Sequence, residues 1–223
     1  MPHTPNLQQR RVLIAGATGL VGRELLDGLL ADRSVAEVHS LGRRRPAVRH
    51  PKLHAQQVDF AALPALPPLD EVYLALGTTI AAAGSQAAFR ALDFEANLAV
   101  ARAARAAGAR RAGLVSAMGA GATSAVFYNR VKGELEDALA AQGFEGLVIA
   151  RPSLLAGDRP SLGQPERRGE RIGLALSRAL GPLLPLAYRP IDAARVARAL
   201  LALVPVASGV KRLSSAQMQR RDY

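Results

Sequence analysis

The chain has 223 residues, of which 49% are hydrophobic, with a formal charge of +11; that length buries a sizeable core and suits one domain better than two. It contains no cysteine, which excludes disulfides and cysteine-based zinc sites and leaves His3, His39, His50 and His54 as soft metal ligands. His50 and His54 stand four apart, but Pro51 between them and the missing Glu beside His50 speak against a helical zinc motif, so no metal site is expected.

Arginines are spread in small clusters along the whole chain, and aromatic residues make up only 4%. With little to stack on bases, the positive charge does not indicate a dedicated nucleic-acid partner; arginine and alanine enrichment with few lysines reads as coding bias, with some of the charge left to serve an anionic cofactor. The first ten residues lack the apolar core of a signal peptide and no apolar run approaches the ~20 residues of a membrane span, so a cytoplasmic location is expected.

In chain order, residues 1–10 read as a flexible tail. Val12 to Ala15 is a short apolar run, as a parallel strand covered on both faces requires, and Gly16, Gly19 and Gly22 follow it. Gly16 opens the turn, Gly19 lets backbone N–H groups approach a pyrophosphate, and Gly22 lets the following helix sit tight on the strand; Leu20, Leu25, Leu26 and Leu29 mark that helix. The spacing is G-x-x-G-x-x-G, and its strand–turn–helix context makes it a nucleotide cradle.

Ala36–Leu41 and Leu53–Asp59 read as the next strands, Glu71–Leu76 as a fourth, and the alanine-rich stretch from Gln86 to Ala107 as a helix stopped by Gly108. Ala112–Ser116 is a fifth strand, Asn129 to Ala141 a helix and Gly146–Ala150 a sixth strand. This alternation predicts an α/β fold, a doubly wound parallel sheet with right-handed crossovers, over residues 11–217. Residues 157–169 read as a long loop and 172–186 as an apolar helix, so that 156–190 form a small substrate-side region. Ile191 begins another amphipathic helix, the residues from Ser214 read as a weak element, and 218–223 as a basic tail.

Tyr128 and Lys132, four apart on one helical face, carry the chemistry. A tyrosine at its ordinary pKa of about 10 is a poor base at neutral pH, and making it one costs about 4 kcal/mol. An ammonium ~5 Å away at an effective dielectric of about 20 supplies about 3 kcal/mol. After the second strand, Gly42 is followed by Arg43, Arg44 and Arg45 where an NAD enzyme normally carries an acid for the ribose 2′-hydroxyl. Guanidinium groups there suit a 2′-phosphate, so NADP(H) is expected over NAD(H).

Gly16-Ala17-Thr18-Gly19-Leu20-Val21-Gly22, Leu41-Gly42-Arg43-Arg44, Leu76-Gly77-Thr78-Thr79, Tyr128-x-x-x-Lys132-Gly133-Glu134 and Arg151-Pro152-Ser153-Leu154-Leu155 together resemble the atypical short-chain dehydrogenases/reductases, in particular the Tat-interacting-protein-like branch. The likeness is colinear over about residues 11 to 160. It implies a Rossmann-type sheet, Tyr128 as proton donor or acceptor, and Lys132 as the residue that binds the nicotinamide ribose and eases ionisation of the phenol. It places Pro152 and Ser153 beside the nicotinamide, Asp59 and Phe60 at the adenine, and Leu76, Gly77 and Thr78 along the cofactor channel. A serine after the fifth strand usually orients the substrate carbonyl; Ser116 takes that part, although Ala117 stands where relatives often carry a second serine. The resulting expectation is an NADP(H)-dependent oxidoreductase acting on a small carbonyl or alcohol as a monomer or homodimer. A non-catalytic NADPH-binding regulator is the alternative; isomerisation of a nucleotide-linked sugar is disfavoured by the short C-terminal part.

Overall fold

The structure is a computed structural model, described here for residues 9–156 and 185–223. Seven parallel strands form one sheet in the order β3-β2-β1-β4-β5-β6-β9: β1 Arg10–Ala15, β2 Val35–Gly42, β3 Leu53–Gln57, β4 Glu71–Leu74, β5 Arg111–Val115, β6 Gly146–Arg151 and β9 Gly209–Ser214. Leu155–Ala156 (β7) and Ile191–Asp192 (β8) pair separately, also in parallel. The expected doubly wound sheet is present, and β9 adds a seventh strand that the sequence had not announced.

Alternation along β1 shows why the sheet needs cover on both sides. Val12 and Ile14 belong to one core layer and Leu13 and Ala15 to the other, and all four are fully buried. The first layer lies under helix α1 (Leu20–Ala31) and a C-terminal helix, Ala193–Leu203, which pack against each other. The second lies under the helix Asn97–Ala106 and α5 (Phe127–Ala140).

Several boundaries differ from the sequence reading. The first strand begins at Arg10, assigned above to the tail, because its guanidinium ties three elements together: it donates to buried Glu71 on β4, to Asp32 after α1 and to Ser34. The last residues are also more ordered than a weak element and a tail. Ser214 forms a capping box with Gln217 at the start of the helix Ser215–Arg220, and Met218 is fully buried. The segment read as one helix from Gln86 to Ala107 contains α-helical turns at Gln86–Arg90 and Asn97–Ala106 joined by a π-helical turn, Ala91–Ala96. The expected loop at 157–169 and most of the helix at 172–186 lie outside the described residues.

Candidate functional site: a cleft at the sheet's switch point

Strand order reverses between β1 and β4, and their carboxyl ends open a crevice of the kind in which doubly wound sheets take ligands. A cleft of about 250 Å³ lies there. Gly19, Leu20 and Val21 form one side; Leu76, Gly77 and Thr78 the next; Tyr128 and Lys132, Ser116 and Ala117, and Pro152 and Ser153 the rest. The structure therefore brings together, in one cavity, loops that the sequence separates by more than a hundred residues.

The glycine turn is built from backbone. Gly16 has φ +93°, and a Cβ on it would stand 2.5 Å from the Ala75 backbone. At Gly22 a Cβ would stand 2.0 Å from the Gly16 carbonyl oxygen, so the start of α1 lies directly on the turn. Gly19 is different: the nearest atom to its Cβ would be 3.4 Å away, which leaves the space above it for something else. Gly19 is also the N-cap of α1, with no side chain capping the helix and no acid in its first turn. Free N–H groups and the positive end of the helix thus face the cleft, an environment that fits a pyrophosphate.

The opposite wall is built from charge. Lys132 is 4% exposed, and its ammonium stands 2.7 Å from Oδ1 of Asp93, which is completely buried. The other carboxylate oxygen accepts the Thr78 backbone N–H at 2.9 Å. Burial works against the lysine's charge, but Asp93 first, then Tyr128 and Glu136, outweigh it and hold the ammonium above the ordinary lysine range. Tyr128, half-buried, lies with its ring 5.4 Å from that of Phe89.

Ser116 lines the cleft but its hydroxyl is engaged: it donates to Glu136 at 2.6 Å. Glu136, 1% exposed, also accepts three hydrogen bonds from the Arg151 guanidinium, from Nε to Oε1 at 2.9 Å and to Oε2 at 3.2 Å and from Nη2 to Oε2 at 2.6 Å, and one from Arg212. The Ser153 hydroxyl donates to the Arg189 carbonyl. Sequence reasoning found neither Asp93 nor Glu136. Asp93 and Asn97 did leave a signal, two polar residues four apart on the apolar face of an alanine-rich helix.

A second cavity, about 390 Å³, opens beside the first turn of α1, between Thr18 and Arg23 on one side and Arg44, Arg45 and Val48 on the other. Arg43 is exposed but does not line it. Asp59 and Phe60 line neither cavity; the Asp59 carboxylate accepts the Ala61 N–H, and Phe60 packs on the core.

This geometry defines a nucleotide-cofactor protein of the Rossmann type. The chain belongs to the NAD(P)H-binding family, whose model matches residues 16–179. It is 36% identical over 180 residues to "Protein fmp52, mitochondrial" of Emericella nidulans, covering 76% of each chain. A Candida albicans relative of the same name is 34% identical over 198 residues and 83% of each chain. Among solved structures, the fold is similar to an ADP-L-glycero-D-manno-heptose-6-epimerase of Helicobacter pylori, with TM-score 0.67, 15% identity and coverage of 96% of this chain and 80% of that one. It is similar also to the Bordetella bronchiseptica enzyme WbmF in complex with NAD+, with TM-score 0.66, 18% identity and coverage of 96% and 77%. The relatives correct one expectation: a cytoplasmic location inferred from the lack of a signal peptide is overturned by curated homologues that are named mitochondrial. No helix among the described residues is long and apolar enough to cross a membrane.

Proposed function

We propose that the chain is an oxidoreductase that moves a hydride between NADP(H) and a small carbonyl or alcohol, within the Tat-interacting-protein-like branch of the atypical short-chain dehydrogenases/reductases. One observation carries this reading: Tyr128 and a buried, charged Lys132 share a single cleft with the glycine turn and the Gly77 loop. When bound, the dinucleotide supplies the hydride chemistry. In this reading Gly16, Gly19 and Gly22 with the N–H groups of Leu20 and Val21 hold the pyrophosphate, and Leu76, Gly77 and Thr78 line the channel. Pro152 and Ser153 flank the nicotinamide, and Asp59 and Phe60 lie toward the adenine. Lys132 holds the ribose, and Tyr128 exchanges a proton with the substrate oxygen. The cavity between Thr18, Arg23, Arg44 and Arg45 supports a 2′-phosphate site and hence NADP(H) over NAD(H).

A second reading, a non-catalytic NADPH-binding regulator, is favoured by the Ser116 hydroxyl, which donates its hydrogen bond to Glu136, while Ala117 beside it has no hydroxyl to offer a carbonyl. Stopped-flow NADPH oxidation across a carbonyl panel separates the two. If Tyr128 moves the proton, Tyr128→Phe lowers the rate by about 10²–10⁴-fold. NADPH affinity changes little, since one neutral hydrogen bond is worth about 1 kcal/mol. Binding without turnover in the parent protein favours the regulator, and equal rates in the two proteins rule out the proton role of Tyr128.

A further inference from the structure

We propose that Asp93 is a positioning residue: it holds Lys132 as an ammonium in the cleft and ties it to the Gly77–Thr78 loop, so that loop and lysine engage the dinucleotide as one unit. The inference rests on the cofactor-binding reading above and extends it to a residue that lies in none of the sequence motifs.

Asp93 lies in the π-helical turn Ala91–Ala96. Such turns widen a helix by one residue and shift the facing of what precedes them, often at functional sites. Here Phe89, Asp93 and Asn97, spaced by four, are all completely buried. Each has a task toward the cleft. Phe89 packs on the Tyr128 ring. The Asn97 amide donates to the Leu76 carbonyl at 3.2 Å and to the Asp93 carbonyl at 3.0 Å, fixing the turn to the end of β4. Asp93 accepts the Thr78 N–H with one oxygen and faces Lys132 with the other. That second oxygen stands 2.7 Å from the ammonium, a charge-assisted contact that takes one of the lysine's three donors and leaves two to turn to a ligand.

The pair lies directly beneath Gly77, where a Cβ would stand 3.5 Å from Asp93 Oδ1 and 3.8 Å from Lys132 Nζ. Among the described residues, the charged groups around the ammonium are few. Asp93 faces it from the π turn; Tyr128 and Glu136 stand one turn away on either side along its own helix; and β5 contributes the neutral Ser116. Glu136 is engaged by Ser116, Arg151 and Arg212, which leaves Asp93 as the counterion. A buried ammonium without a counterion sheds its proton readily, and an uncharged lysine loses its pull on an anionic cofactor.

The test uses the full chain with lysine labelled at ¹³Cε, which gives three signals, from Lys52, Lys132 and Lys211, assigned through Lys132→Arg. In the parent protein Lys132 titrates above the ordinary lysine range, and NADPH affinity, read by fluorescence, changes less than about twofold from pH ~7 to ~9.5. In Asp93→Asn the Lys132 signal titrates below the ordinary lysine range, and affinity falls at least about fivefold across the same pH interval; adding Lys132→Gln abolishes that pH dependence. Unchanged titration in Asp93→Asn, with affinity lowered equally at all pH values, overturns the inference. If Asp93→Asn does not fold, the double variant Asp93→Asn, Lys132→Met decides. Recovery of the fold shows that the orphaned charge was the fault, and failure shows a packing role and overturns the inference. A parent protein that does not bind NADPH defeats the cofactor reading instead, while the lysine titration still judges the Asp93–Lys132 link.

Discussion

The two walls of the cleft are built on different physical principles. The wall from β1 and α1 is almost entirely backbone: glycines bring main chain onto main chain, and an uncapped helix end supplies the polarity. The wall from α5, β5, β6 and the π turn is made of side-chain charges in two clusters, each centred on a buried acid: Asp93 with Lys132, and Glu136 with Ser116 and the partly exposed Arg151 and Arg212. A backbone site needs no counterion and tolerates no atoms added where main chain packs on main chain. A side-chain site tolerates shape change but fails when one charge loses its partner, because the remaining charge stays buried. The two walls are thus expected to break in opposite ways.

The largest effect belongs to the backbone wall and separates its glycines from one another. Gly22→Val drives a side chain into the Gly16 carbonyl, where even a Cβ stands 2.0 Å away. No flexible neighbour can yield, and the loss of stability exceeds the ~3 kcal/mol usual for overpacking; thermal denaturation reads it. Gly19→Val meets no such obstacle, keeps its melting temperature within a few degrees, and lowers NADPH affinity by about a hundredfold or more, about 2.7 kcal/mol, by filling the space above the turn. Equal stability of the two variants would show that Gly19 and Gly22 act alike.

On the side-chain wall, Glu136→Gln keeps the shape and removes the charge. Arg151 and Arg212 are 30% and 41% exposed at their side chains, so water takes over part of the lost interaction. The expected cost is about 1–3 kcal/mol in urea unfolding, with NADPH affinity within about twofold of the parent protein. A variant as stable as the parent would mean that the cluster does not hold α5 to β5, β6 and β9.

This difference in construction also explains what the sequence disclosed. The glycine turn is local: strand, Gly16, Gly19, Gly22 and helix follow one another, and sterics alone dictate their order. Tyr128 and Lys132 are equally local, four apart on one helix. Asp93 and Glu136 could not be assigned in that way, since their partners come from elsewhere in the chain and nothing in an alanine-rich segment announces that a π turn will aim an acid at a lysine 39 positions on. The hidden role of β9 has the same origin: Gly209–Ser214 is exposed along most of its length and is a strand only because β6 supplies its hydrogen-bonding partner. Ser116 shows the converse. Its position after β5 is legible, yet the direction of its hydroxyl depends on Glu136, which β5 does not encode.

The smallest expected effect lies outside both walls, at the exposed arginines. A 2′-phosphate between Thr18 and the loop after β2 gains from guanidinium groups, but exposure screens them, so the gain is modest and salt-dependent. NADPH is expected to bind about tenfold more tightly than NADH, about 1.4 kcal/mol, at low ionic strength, with the gap narrowing as salt rises. The cavity sharpens the expectation among the arginines. Arg44 lines it and Arg43 does not, so Arg44→Ala should remove most of the preference, Arg43→Ala little of it, and the double variant scarcely more than Arg44→Ala alone. NADH affinity stays constant throughout, since that cofactor presents a hydroxyl where NADPH presents the dianion. Calorimetry on the parent and the three variants measures all of these quantities. Equal affinities for the two cofactors in the parent protein would remove the 2′-phosphate site, and a larger loss in Arg43→Ala than in Arg44→Ala would move it out of the cavity and onto the exposed face of the loop.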